Sequence, residues 1–259
     1  MNFGRISVLA NHVFQEVVRD RIFYIIGLYT LILAASLYLL PAFAAATEDK
    51  MFLDFSFAAM SILGLIVAIF VGTALINKEI EKRTVLVLIT KPLSRSELVV
   101  GKYLGLLAVL AILITAMTLI YLAFLQIGNI TYPVGSIILA AMFLFLQLSL
   151  IAAVAITLGV FTSSLLATAL TFAVYLMGNI TQDLLQLGRL AQNPGIERMT
   201  QALYLLLPDL SRLDLKNDAV YGFGALPDAI SLLLNAGYGL LYSIMLLVMA
   251  IFIFSRREF

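Results

Sequence analysis

Residues 77–102 read NKEIEKRTVLVLITKPLSRSELVVGK, and the architecture of the chain turns on this stretch. Six basic and three acidic side chains stand here between two long apolar runs that carry no charge. Such a segment cannot sit in hydrocarbon, where charges and unpaired backbone groups are costly. It has to emerge into water between two membrane-crossing helices.

The composition agrees. With 63% hydrophobic residues, 12% charged residues and a mean hydropathy of +1.07, an ordinary soluble domain is excluded. The 259 residues leave room for about six spans of roughly 20 residues each. There is no cysteine, so disulfide and thiol chemistry are excluded. A net charge of +1 gives no sign of a nucleic-acid partner. Polar residues precede the first apolar run, which reads as an anchor rather than a cleavable signal.

Runs without Asp, Glu, Lys, Arg or His cover Ile22–Phe43, Phe57–Ile76, Tyr103–Ile127, Gly135–Phe161, Leu165–Ile180 and Ala229–Phe254. The expected fold is therefore an all-α integral membrane protein, a single transmembrane domain of six helices over 1–259. Threading six spans from a cytoplasmic N-terminus puts residues 1–21, 77–102 and the C-terminal tail on one side. That side carries 11 of the 16 Lys and Arg residues, against five basic and nine acidic residues opposite. The asymmetry follows the positive-inside rule, so both termini are expected in the cytoplasm.

Phe3, Ile6, Ala10, Val13 and Val17 recur at helical spacing between Arg5, Asn11, His12, Glu16 and Arg19. This predicts an amphipathic helix in the cytoplasmic interface ahead of the first span. Within the charged island, proline at 92 punctuates, and Ser94 with Glu97 fits a capping box that starts the helix of the third span. The preceding Thr84–Thr90 (TVLVLIT) is apolar and has nothing obvious to bury it. An apolar patch in water marks a contact surface. The segment 182–228 is too long for a bare connection. Asn193-Pro194-Gly195 reads as a turn and Pro208-Asp209 as a fresh start, so short helices on or partly in the outer leaflet are expected. Pro227-Asp228 suits a helix start and opens the last span.

Enzymatic readings fail one by one. The single histidine, His12, precedes the first span, so there is no metal-binding pair and no Ser–His dyad within the membrane. Gly101-Lys102 is followed by tyrosine, and position 96 is serine, so no phosphate-binding loop is present. Lys102 reads as an anchor at the end of the third span. Gln147, Thr157, Thr168, Thr171 and Asn179 are uncharged polar residues within spans, and read as interhelical hydrogen-bond formers. Gly101 and Gly105 have small-xxx-small spacing suited to close packing. No catalytic, cofactor or metal site is expected in this chain, and no internal repeat marks a secondary carrier.

Lys78-Glu79-Ile80-Glu81, Thr84, Leu88, Lys91-Pro92-Leu93-Ser94-Arg95 and Gly101-Lys102 resemble the loop of ABC-2 type ABC transporter permeases. Leu207-Pro208-Asp209 with Leu213-Asp214-Leu215-Lys216-Asn217, and Phe254-Ser-Arg256-Arg257-Glu258-Phe259, are similar to segments of the NosY/GldF-like subgroup. The resemblance covers essentially the whole chain. It implies a six-span permease subunit of an exporter in a bacterial inner membrane, paired with a second permease copy or homologous permease. It also implies two copies of an ABC ATP-binding subunit, which would hold ATP and Mg. The loop after the second span would then contain a coupling helix seated on the ATPase. On that likeness Glu79, Glu81, Arg83, Thr84 and Leu88 face or brace the ATPase, while Pro92 to Arg95 end the contact. Two other classes compete: an assembly factor that docks a cytoplasmic partner without passing cargo, and a secondary carrier or channel that needs no ATP.

Overall fold

A computed structural model describes residues 3–43, 48–81, 94–191 and 193–256. Among them there are only helices and short connections, with no strand. Five helices are long and apolar enough to cross a membrane: α2 (Phe23–Phe43), α3 (Glu48–Glu81), α4 (Arg95–Ile127), α5 (Val134–Phe161) and α10 (Ala229–Arg256). A bent pair, α6 (Ser164–Asn179) and α7 (Thr181–Leu190), meets at 59° and makes a sixth crossing only if the two helices count as one span. The fifth expected span is thus helical where the sequence placed it, but it stops short and turns.

Helix α5 is the centre of the bundle, and α3, α4, α6 and α10 pack around it. Small residues make this possible: a Cβ on Gly72 of α3 would lie 2.8 Å from the Ala155 Cβ on α5. Between apolar helices in lipid, such close backbone approach supplies the packing that a hydrophobic driving force supplies in water. Polar groups add specific ties. Thr73 and Thr168 hydroxyls meet at 3.1 Å between α3 and α6, and Thr157 donates to the Leu246 carbonyl of α10 at 3.1 Å. Tyr29 of α2 and Tyr121 of α4 donate to the Ser56 and Leu53 carbonyls of α3 at 3.3 and 3.1 Å.

The amphipathic helix is present as α1 (Phe3–Val17), with Ile6 and Val13 buried. A single π turn, Val18–Ile22, joins it to α2 with helical backbone angles at both ends, so residues 3–43 form one unbroken helical run. A π turn inserts an extra residue without ending a helix. This run lies lengthwise on α4. The Leu9 Cβ faces Gly101 and the Val13 Cβ faces Gly105, a four-residue step on both helices, so the two run side by side in the same direction. Farther along, Leu37 meets Gly128, a register shifted by the one residue that the π turn inserts. Asn129 follows with φ 52°, the left-handed conformation that ends helices and that asparagine tolerates.

The remaining elements fill the end of the bundle away from the charged island. After α7 comes α8 (Pro194–Leu206), where Asn193 caps the helix through Gly195 N–H at 2.9 Å and Pro194 takes the first turn. The expected turn at Asn193-Pro194-Gly195 is therefore a helix start. A 3₁₀ turn (Leu210–Leu213) and the short α9 (Lys216–Ala219) lead to α10. At its entrance the Ser231 hydroxyl, with the backbone N–H groups of Ser231, Asp228 and Ile230, holds the Asp228 carboxyl below the usual carboxylate range.

Candidate functional site

The charged island leaves the bundle from α3 and returns into α4. Return is fixed by the capping box. Ser94 Oγ accepts from Glu97 N–H at 3.2 Å, and the Glu97 carboxylate accepts from Ser94 N–H at 3.1 Å. These bonds satisfy donors that a helix start leaves unpaired.

Arg95 comes next, at the positive end of the α4 dipole, which disfavours a cation. It turns away to the opposite kind of helix end. Its Nη1 donates to the Phe254 carbonyl at 2.6 Å and to the Ser255 carbonyl at 2.9 Å, in the last turn of α10. Carbonyls in the last turn of a helix carry the negative end of its dipole, which favours a cation. The guanidinium also lies 5.8 Å from the centre of the Phe254 ring.

Lys102, two turns on, is buried, and its ammonium donates to the Leu75 carbonyl of α3. Gly101 and Gly105 meanwhile seat α1: a Cβ on Gly105 would stand 2.7 Å from the Val13 Cβ and 2.8 Å from the Ala10 carbonyl oxygen. The root of the loop on α4 is thus tied to α3 by Lys102, to α10 by Arg95 and to α1 by the two glycines.

Of the seven residues singled out from sequence, Glu79 and Glu81 fall in the final turn of α3, with side chains outside what is described. Arg83, Thr84, Leu88 and Pro92, and the coupling helix expected there, lie outside the described residues. Arg95 is placed, and it faces the last span. Sequence reasoning missed its partner, and it also missed the inward bond of Lys102, which it read as a surface anchor. A basic residue in the first turn of a helix was the available signal, since its own helix repels it.

The end of the bundle away from the charged island is organised around Asp209. Its carboxylate accepts from Gln182 Nε2 of α7 at 3.0 Å, from Ser211 Oγ at 2.6 Å and from Arg212 Nε at 3.0 Å. Its backbone N–H donates to the Tyr238 hydroxyl of α10 at 2.8 Å. Arg212 Nη2 reaches the Tyr204 hydroxyl of α8 at 2.9 Å, and Tyr242 donates to the Leu206 carbonyl at 3.0 Å. Gln147 Nε2 supports the turn from below, donating to the Leu210 carbonyl at 3.4 Å and to Asn179 Oδ1 at 3.3 Å.

Among the described residues no group of three or more His, Cys, Asp or Glu could hold a metal ion. What the arrangement offers is mechanical: the start of α4, where the chain returns from the charged island, is tied to several helices, and a polar lock joins α7, α8 and α10 at the other end. Comparison with curated proteins finds no match. The family model described as ABC-2 family transporter protein matches residues 8–259. That match spans the helical bundle, the loop and the outer lock together; the chain belongs to the ABC-2 transporter family and is a multi-pass membrane permease of an ABC transporter, a class that pairs with an ATP-binding subunit.

Proposed function

We propose that this chain is the permease half of an ATP-driven exporter of the NosY/GldF-like kind in a bacterial cytoplasmic membrane. It works beside a second permease copy, with two ATP-binding subunits on the cytoplasmic side, where both termini also lie. The observation that supports this most is the rooting of the loop by Arg95, Lys102, Gly101 and Gly105. A loop that merely connected two spans would need no such ties, whereas a loop that receives a push must pass it on to more than one helix.

In this reading Glu79, Glu81, Arg83, Thr84 and Leu88 meet or brace the ATPase, and Pro92 ends the contact. Arg95 carries displacement to α10, and α1 carries it through the π turn into α2. ATP and Mg belong to the partner, and this chain hydrolyses nothing. Closure of the ATPases shifts the bundle between two arrangements of the path between permease copies, in proportion to the difference in binding free energy.

Co-purification with a co-expressed ATP-binding subunit tests the reading. Glu79→Lys and Arg83→Glu are expected to abolish capture while leaving the permease folded. Undiminished capture by both variants would overturn it.

A further inference from the structure

The fold carries charge to a depth that hydropathy conceals. Gln147 stands at the midpoint of the 28-residue α5, so the Leu210 carbonyl it binds lies about 20 Å from either end of that helix. On the other side Leu213 packs on Gly239, 3.0 Å from where its Cβ would be, about 15 Å below the start of α10. Hydrocarbon is about 30 Å thick and these helices are about 42 Å long. With α5 and α10 centred on the hydrocarbon, Pro208–Leu213 sits roughly 10 Å beneath its outer boundary. It occupies the space left where α6 ends early: the Pro208 carbonyl and Leu210 crowd Gly178, one residue before that end.

Asp209 and Arg212 ride on this segment and are exposed very differently. The carboxylate side chain is 3% exposed and is enclosed by its three donors, but the guanidinium side chain is 39% exposed. Of the five N–H donors of an arginine, one reaches Asp209 and one Tyr204, while Tyr238 lies under the guanidinium at 5.1 Å. Behind the turn the structure is filled. Leu210 and Leu213 are fully buried, and the gap beside Phe57, Gln147 and Leu213 measures about 10 Å³, room for one water at most. A charge at this depth almost always faces protein interior or water rather than lipid tails. The interior side is closed, so the open side is wet.

We infer that Arg212 faces a water-filled cleft in the outer half of the membrane, the outward section of the cargo path, and gives that cleft a cationic wall that favours anionic groups. Arginine-lined constrictions select anions in this way. The inference rests on the reading of the chain as a permease that lines a path.

The chain has no cysteine, so single thiols can be labelled in the full-length protein in nanodiscs. The variants are R212C and Q182C, with L240C as control. Leu240 is exposed on α10 on the face opposite Tyr238. The probes are membrane-impermeant anionic and cationic methanethiosulfonates, with rates normalised to a free thiol. Because only an ionised thiol reacts, R212C and Q182C should label at least about tenfold faster than L240C. Q182C should prefer the anionic reagent, and R212Q added to Q182C should reverse that preference by leaving Asp209 uncompensated. Labelling no faster than L240C, as lipid or a dry contact with a second copy would give, overturns the inference; so does a preference that R212Q leaves unchanged. If R212C does not fold, Q182C decides the matter alone. None of this needs an ATP-binding subunit, so failure here and failure of the capture experiment are separate results.

Discussion

Arg95 and Phe254 stand 159 residues apart in the chain, yet the Arg95 guanidinium donates to the Phe254 carbonyl at 2.6 Å and caps the helix that ends there. The tie joins the residue that follows the loop to the last turn of the final span. Replacing Arg95 with alanine removes two charge-assisted bonds at a partly exposed site. The stability cost should be modest, about 1 kcal/mol. The local effect should be larger: amide exchange in residues 250–256 is expected to rise in R95A, and less in R95K, which keeps the charge but not the planar fork. Exchange unchanged in both variants would show that the last turn of α10 does not depend on this residue.

Seating of α1 on α4 depends on two missing side chains. G105A places a methyl 2.7 Å from the Val13 Cβ, and G101A places one 2.8 Å from the Leu9 Cβ. Neither neighbour is the flexible end of a long side chain, so the helices must separate. The expected cost is about 1–3 kcal/mol each, the range for overpacking. A glycine elsewhere supplies the contrast: Gly237 in α10 has nothing within 4 Å of its would-be Cβ. G237A should be neutral or slightly stabilising, since alanine is the better helix former. Thermal unfolding of the three variants in one detergent would check the ranking, and equal midpoints would contradict the close approach.

The start of α4 offers a test confined to one turn. Ser94→Ala removes the acceptor of the Glu97 N–H, and Glu97→Ala removes the acceptor of the Ser94 N–H. Each should cost about 1 kcal/mol. Together they should cost less than the sum, because the two bonds close one ring. Exchange rates at residues 95–98 would report the fraying, and strict additivity would show that the two bonds act independently.

How much of this could be read beforehand depends on which contacts are local. The apolar runs gave the helices, but not the 59° bend between α6 and α7, because a short apolar run says nothing about the helix that follows it. The capping box was legible because Ser94 and Glu97 are three residues apart and bond to each other. The docking of α1 was half legible: the spacing of Ile6 and Val13 announces an apolar face, and Gly101 and Gly105 announce a groove. Nothing in either pattern says that one fills the other. Depth was legible only in part: the sequence of 182–228 predicts short helices on or partly in the leaflet, but the LPDLSRL segment carries Asp209 and Arg212, and nothing in its composition puts it beside the middle of α5. It reaches the middle of α5 only because Gln147, Asn179 and Gly178, each distant in sequence, make a polar and sterically open seat for it.

That seat yields the last prediction. Gln147 is 1% exposed and donates to the Leu210 carbonyl and to Asn179. Q147L keeps about the same volume but removes the donor that ties the Leu210 carbonyl and Asn179 Oδ1 to α5, leaving the Leu210 carbonyl only the bond of its own 3₁₀ turn. Hydrogen bonds between membrane helices are weak on average, about 0.6 kcal/mol with a maximum near 1.7. Both bonds here are long, so a global loss of about 1 kcal/mol is expected. The loss should be local in effect: exchange should rise at residues 208–215 while α5 itself stays protected by its packing. Q147E, which keeps the shape but offers no donor when ionised, should be worse than Q147L because it buries a charge beside a carbonyl. If Q147L and Q147E were equally mild, the turn would be held by Gly178 and Asp209 alone, and Gln147 would be ordinary packing.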